Sequence, residues 1–157
     1  MVINRQRRVR VALRPLEQFV DRVQRALRLR EYELTVCLVS DAVIGRLNRS
    51  YLGKRGPTDV LSFPADGVKP NQNMERVRAL LDYPESRRVA RQNYAGDIAI
   101  SPETARRNAR RFSRTLPVEM CILILHGMLH LAGFDHESDN GEMDRLERRL
   151  RRRLGVL

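Results

Sequence analysis

The chain has 157 residues, 42% of them hydrophobic, which suffices for one domain with a single core. Its formal charge is +11, with no tryptophan and only 5% aromatic residues. That balance favours a polyanionic partner held by its phosphates and argues against base stacking as the main mode of recognition. Of the 30 basic residues only Lys54 and Lys69 are lysines, and the competing explanation is that the arginines cover solvated helix faces. The N-terminus, MVINRQRRVRVALRPLE, has no apolar signal region, and the longest apolar run, MCILIL, is far short of the roughly 20 residues of a membrane span. A soluble cytoplasmic protein with no membrane partner is expected. Cys37 and Cys121 sit in apolar runs and read as reduced, buried thiols.

In chain order, residues 8–13 (RVRVAL) alternate as a half-buried strand. The next segment, RPLEQFVDRVQRALRLR, places Leu16, Phe19, Val20, Val23 and Leu27 on one helical stripe. YELTVCLVSD reads as a second strand, after which Asp41 is expected to cap a short helix, AVIGRLNRSYL. GKRGP is a turn and TDVLSFP a strand closed by Pro64. Between about Asp66 and Ala95 there is no strand pattern, only one or two short helices. GDIAIS reads as a buried strand, and SPETARRNARRF as a helix with Ser101 as cap, Pro102 at its first position and Glu103 in its first turn. LPVEMCILILHGMLHLAG is a strongly apolar helix stopped by Gly133, and SDNGEMDRLERRLRRRL a charged closing helix. Residues 1–157 are expected to form one α+β domain, a mixed sheet of about four strands with helices around a central histidine-bearing helix.

All three histidines of the chain, His126, His130 and His136, fall inside HGMLHLAGFDHE. His126 and His130 are four apart, hence on one helix face one turn apart. Gly133 allows the chain to turn back and bring His136 to the same point. A lone histidine on an apolar helix is usually a hydrogen-bonded core residue. Three brought together beside CILIL point instead to an open metal site with room for water. One Zn2+ per chain is the default for three imidazoles, and nickel, cobalt or copper fit the same ligands. The spacing is that of the metzincin proteases, except that Gly127 stands where those enzymes carry the general-base glutamate. That argues against ordinary peptide hydrolysis, though not against hydrolysis as such.

HGMLHLAGFDHE closely resembles the signature of the YbeY family of bacterial rRNA maturation factors, which are single-strand-specific metallo-endoribonucleases. LNRSYLGKRGPTDVLSFP (Leu47–Pro64) resembles the family's second block and GDIAIS (Gly96–Ser101) its third, so the likeness covers nearly the full length. The resemblance implies a metzincin-like metal site and hydrolysis of RNA phosphodiesters. It also implies a role in 3′-end maturation of small-subunit 16S rRNA and in ribosome quality control. The implied partners are rRNA, the small ribosomal subunit and ribosome-associated proteins. Two features depart from the family pattern. Leu52 replaces an arginine linked to activity, and the segment between SFP and GDI is longer and richer in arginine (Arg76, Arg78, Arg87, Arg88, Arg91).

Arg55 is the candidate to supply the charge missing at Leu52, with Lys54 second; both equally suit an exposed turn. Asp135 either orients a histidine or accepts a proton near the metal, or else caps the turn after Gly133. Asp59 is favoured as a turn cap, and Asp97 as structural. Arg106, Arg107, Arg110 and Arg111 form either an RNA-binding face or a solvated one. The reading is a zinc-dependent endoribonuclease acting on rRNA. The alternatives are a metal-dependent hydrolase of another substrate, a peptide first, and a non-catalytic ribosome assembly factor with a structural metal.

Overall fold

The computed structural model describes residues 1–65, 93–135 and 140–157. Among the described residues four strands, β1 (Val2–Asn4), β2 (Glu33–Leu38), β3 (Val60–Pro64) and β4 (Tyr94–Ile100), form one mixed sheet in the order β1-β2-β4-β3. β1 and β4 run parallel to β2, while β3 lies antiparallel to β4 along the edge. Among the described residues five helices accompany it: α1 (Leu13–Ala26), α2 (Asp41–Leu52), α3 (Pro102–Arg111), α4 (Leu116–Leu131) and α5 (Glu142–Leu154). The expected α+β class with four strands therefore holds.

Side chains alternate across the central strands, so the sheet has two differently used faces. Val36, Leu38, Ile98 and Ile100 join the large core beneath α1, α4 and α5. Cys37, Val39, Leu61, Phe63 and Ala99 join a smaller cluster closed by Ile44 and Leu47 of α2. α4 is the central element of the large core, with Ile124, Leu125, Met128 and Leu129 fully buried. Among the described residues no single helix is long and apolar enough to cross a membrane.

Several expected elements form as read. α1 buries Leu16, Phe19, Val20 and Val23, the stripe seen in its spacing, and ends where Arg28 turns left-handed at φ 58°. The Ser101 side chain caps α3 by accepting from the Thr104 N–H. Gly133 adopts φ 91°, and its N–H and that of Phe134 close the last turn of α4 on His130 and Leu129.

Three expectations are corrected. Residues 8–13 form no strand; the edge strand is Val2–Asn4. Val9 is buried as its alternation suggested, but its backbone is satisfied by a side chain. Gln6 donates to the Val9 carbonyl at 2.8 Å and accepts from its N–H at 2.9 Å, leaving nothing for a neighbouring strand. The cap of α2 is Ser40, which accepts from Val43, and Asp41 is the first helical residue. Cys37 is buried as expected, whereas Cys121 is only half-buried; both thiols are free. The short helices expected between about 66 and 95 lie outside the described residues, except that 94 and 95 begin β4.

Candidate metal centre

The helical spacing of His126 and His130 brings their Nε2 atoms to 3.2 Å, with the rings edge to face at 80°. Two nitrogens about 2.0–2.1 Å from one ion in tetrahedral arrangement would stand about 3.3–3.4 Å apart, so the pair fits a shared metal with little adjustment. Among the described residues no third His, Cys, Asp or Glu completes the set. His136, the third expected ligand, lies outside them.

A residue absent from the sequence reading holds this pair in place. Glu147 of α5 is buried, and its Oε2 lies 2.9 Å from Nδ1 of His126. Its other oxygen accepts from Arg151 one turn on. Burial pushes the Glu147 carboxyl up, but the hydrogen bond from His126 and the Arg151 charge outweigh it, and the group sits below its ordinary value. An ionised carboxylate can only accept, so Nδ1 of His126 carries the proton. In the neutral ring the lone pair then falls on Nε2, the atom facing His130. A carboxylate behind a ligand histidine fixes ring and tautomer in this way in metal sites generally. The signal for Glu147 was present in the sequence. Met143, Glu147, Leu150 and Leu154 share the buried stripe of α5, and a carboxylate on an apolar stripe needs a partner inside.

Gly127 explains the departure from the protease pattern. A Cβ built there would lie 2.8 Å from Ile98 Cγ2 and 3.1 Å from the Ser62 hydroxyl. α4 therefore lies flat on β4, and Ser62 donates to the Gly127 carbonyl at 3.3 Å. The position after the first histidine faces the sheet and has no room for a glutamate.

The remaining candidates are spread over the molecule. Asp135 is exposed just past Gly133. Asp59 caps the start of β3, accepting from the Val60 N–H at 2.9 Å, and its other oxygen accepts from Asn108 of α3 at 2.9 Å, as its structural reading requires. Asp97 is buried in β4 and accepts from the Tyr94 hydroxyl. Arg106, Arg107, Arg110 and Arg111 are all exposed on α3. Leu52 and Lys54 are exposed as well. Arg55 lines an open cleft of about 530 Å3 with Asp41, Ala42, Gly45, Arg46, Arg49, Gly56 and Pro57, and neither His126 nor His130 borders that cleft.

Asp41 links this cleft to α3. Its carboxylate accepts from Ser101, from Thr104 at 2.8 Å and from Arg107 at 2.8 Å, while its N–H donates to Glu103 at 2.9 Å. Burial raises its carboxyl, but the hydrogen bonds from Ser101, Arg107 and Thr104 prevail and hold it below the ordinary value.

The model of the family described as endoribonuclease YbeY matches residues 1–155. An endoribonuclease YbeY of Koribacter versatilis is 38% identical over 98% of this chain and 85% of its own length. One of Solibacter usitatus is 40% identical over 76% of this chain, a match spanning 64% of that relative. The solution structure of TM1509 from Thermotoga maritima superposes with a TM-score of 0.59 at 25% identity, covering 98% of this chain and 89% of that one.

Proposed function

The chain belongs to the YbeY endoribonuclease family, and from that premise we propose that it is a metal-dependent endoribonuclease cleaving single-stranded RNA, with zinc as its metal and small-subunit rRNA as its substrate. The observation that carries the reading is the 3.2 Å approach of the His126 and His130 Nε2 atoms, with Glu147 holding the first ring from behind. His136 is the third ligand in this proposal. When bound, a divalent metal supplies Lewis-acid activation of water and of the phosphoryl group.

The chain's own residues do the rest. Glu147 holds the proton on Nδ1 of His126 and so keeps Nε2 available as a donor. Asp135, exposed beside His136 in sequence, takes the proton of the attacking water. Exposed arginines hold the flanking phosphates and stabilise the charge that develops on them. This work belongs to the cytoplasm, in 16S rRNA 3′-end maturation and ribosome quality control. Peptide hydrolysis by the metzincin route is disfavoured by Gly127, whose contact with Ile98 leaves no space for the glutamate base.

The test is metal analysis of the purified protein together with cleavage of single-stranded and duplex RNA, with and without chelator. One divalent metal per chain and chelator-sensitive cleavage of the single strand support the reading. A full metal complement without cleavage would favour the assembly-factor alternative, and no metal at all would overturn both.

A further inference from the structure

We infer that the cleft between α2 and the turn after it is a second RNA site, one that holds phosphates of the strand away from the histidines. The inference rests on the reading that the substrate is RNA and adds a binding surface to it. Arg46 and Arg49 project from one face of α2 because they are three residues apart. Gly53, at φ 68°, ends that helix and returns the chain, so that Arg55 comes to line the same cleft. The turn is fixed there. Asn48, buried on α2, donates to the Gly56 carbonyl at 3.0 Å.

Among the described residues Arg46, Arg49 and Arg55 make no ion pair. The one acid lining the cleft, Asp41, is already matched by Arg107 at 2.8 Å and hydrogen-bonded to Ser101 and Thr104. Among the described residues three like charges therefore face one cleft, and its one acid is engaged elsewhere, an arrangement that a polyanion relieves. The cleft is open, with the exposed Arg46, Arg49 and Arg55 set around Ala42, Gly45, Gly56 and Pro57, too shallow a surface to enclose a small molecule. A passing strand of phosphates fits it, and base identity would not be read. It lies on α2, which covers the sheet face opposite α4, so the cleft and the histidine pair stand on opposite sides of the sheet.

The test compares the triple variant Arg46→Ala/Arg49→Ala/Arg55→Ala with Arg149→Ala/Arg152→Ala/Arg153→Ala, which removes the same charge from the exposed side of α5. Binding of a single strand of ~30 nucleotides is followed by fluorescence anisotropy across a salt series, with metal content measured for each protein. Three lost phosphate contacts lower the slope of log affinity against log salt by about 2, since each contributes about 0.7 on a single strand. The cleft variant is expected to show that drop and roughly tenfold or greater loss of affinity, with metal content unchanged, while the α5 variant keeps the wild-type slope. Equal effects of the two variants would reduce the cleft to net charge and overturn the inference. An unchanged slope in the cleft variant would also overturn it and would point to an acidic protein surface as what the arginines meet. Because the readout is binding, a wild type that binds RNA without cleaving it would sink the nuclease reading and leave the cleft standing.

Discussion

The two faces of the sheet solve opposite problems. Under α4 the core is large and densely packed, and the buried Glu147 is hydrogen-bonded through both oxygens, to His126 and to Arg151. Under α2 the core is a small cluster, and beyond it lie exposed arginines without partners among the described residues. The first face can hold side-chain atoms to a fraction of an ångström, which a metal demands. The second holds charge on long flexible stems, which suffices for a phosphate backbone whose position along the strand does not matter. Precision is built where packing is dense and tolerance where it is open.

The sharpest way to break this contrast is at the dense face. His126→Ala and His130→Ala should each lose the metal and abolish RNA cleavage, as measured by elemental analysis and a gel assay. Retention of a full metal complement in both would mean that the pair is merely a hydrogen-bonded core feature. The cleft triple variant, by comparison, should keep its metal.

Gly127→Ala is the next test in size. Replacing a mid-helix glycine by alanine in an exposed helix gains about 1 kcal/mol. Here the added carbon meets Ile98 at 2.8 Å, so overpacking should reverse the sign and cost about 1–3 kcal/mol in denaturant unfolding. Gly127→Glu should be worse still. A stable Gly127→Glu protein that hydrolyses peptides would show that the sheet yields and that the steric account is wrong.

Glu147→Gln keeps the shape of the side chain and removes its charge. Metal affinity, read by competition with a chelator, should fall about 10–100-fold with the fold retained. Unchanged affinity would mean that the His126 ring is set by packing alone.

The smallest expected effect lies on the open face. Asp41 has a folded pKa below its ordinary value, so it contributes stability above about pH 4 that is lost as pH falls through the folded value. Arg107, its charged partner, is 56% exposed, so Asp41→Asn should cost less than about 1 kcal/mol at pH 7. The difference from wild type should vanish in acid. A cost of several kcal/mol would place Asp41 among the rigid polar groups and blur the distinction between the faces.

What the sequence by itself determined is what repeats along the chain at short range. The stripe of α1, the serine cap of α3, the glycine stop of α4 and the four-residue step from His126 to His130 are local patterns with local causes, and each formed as read. The family likeness was legible for a related reason, since its motifs are contiguous runs of residues. What only the tertiary structure decided are pairings between distant segments. Val9 looked like a strand residue because alternation reports burial, and only folding revealed that Gln6 takes its backbone bonds. Glu147 meets His126 across 21 residues, and Asp41 meets Arg107 across 66. Gly127 owes its identity to Ile98 on a strand, a contact that helical spacing does not encode. Local periodicity fixes which face of an element is apolar; it leaves open which other element that face will meet, because packing is chosen by the whole core at once.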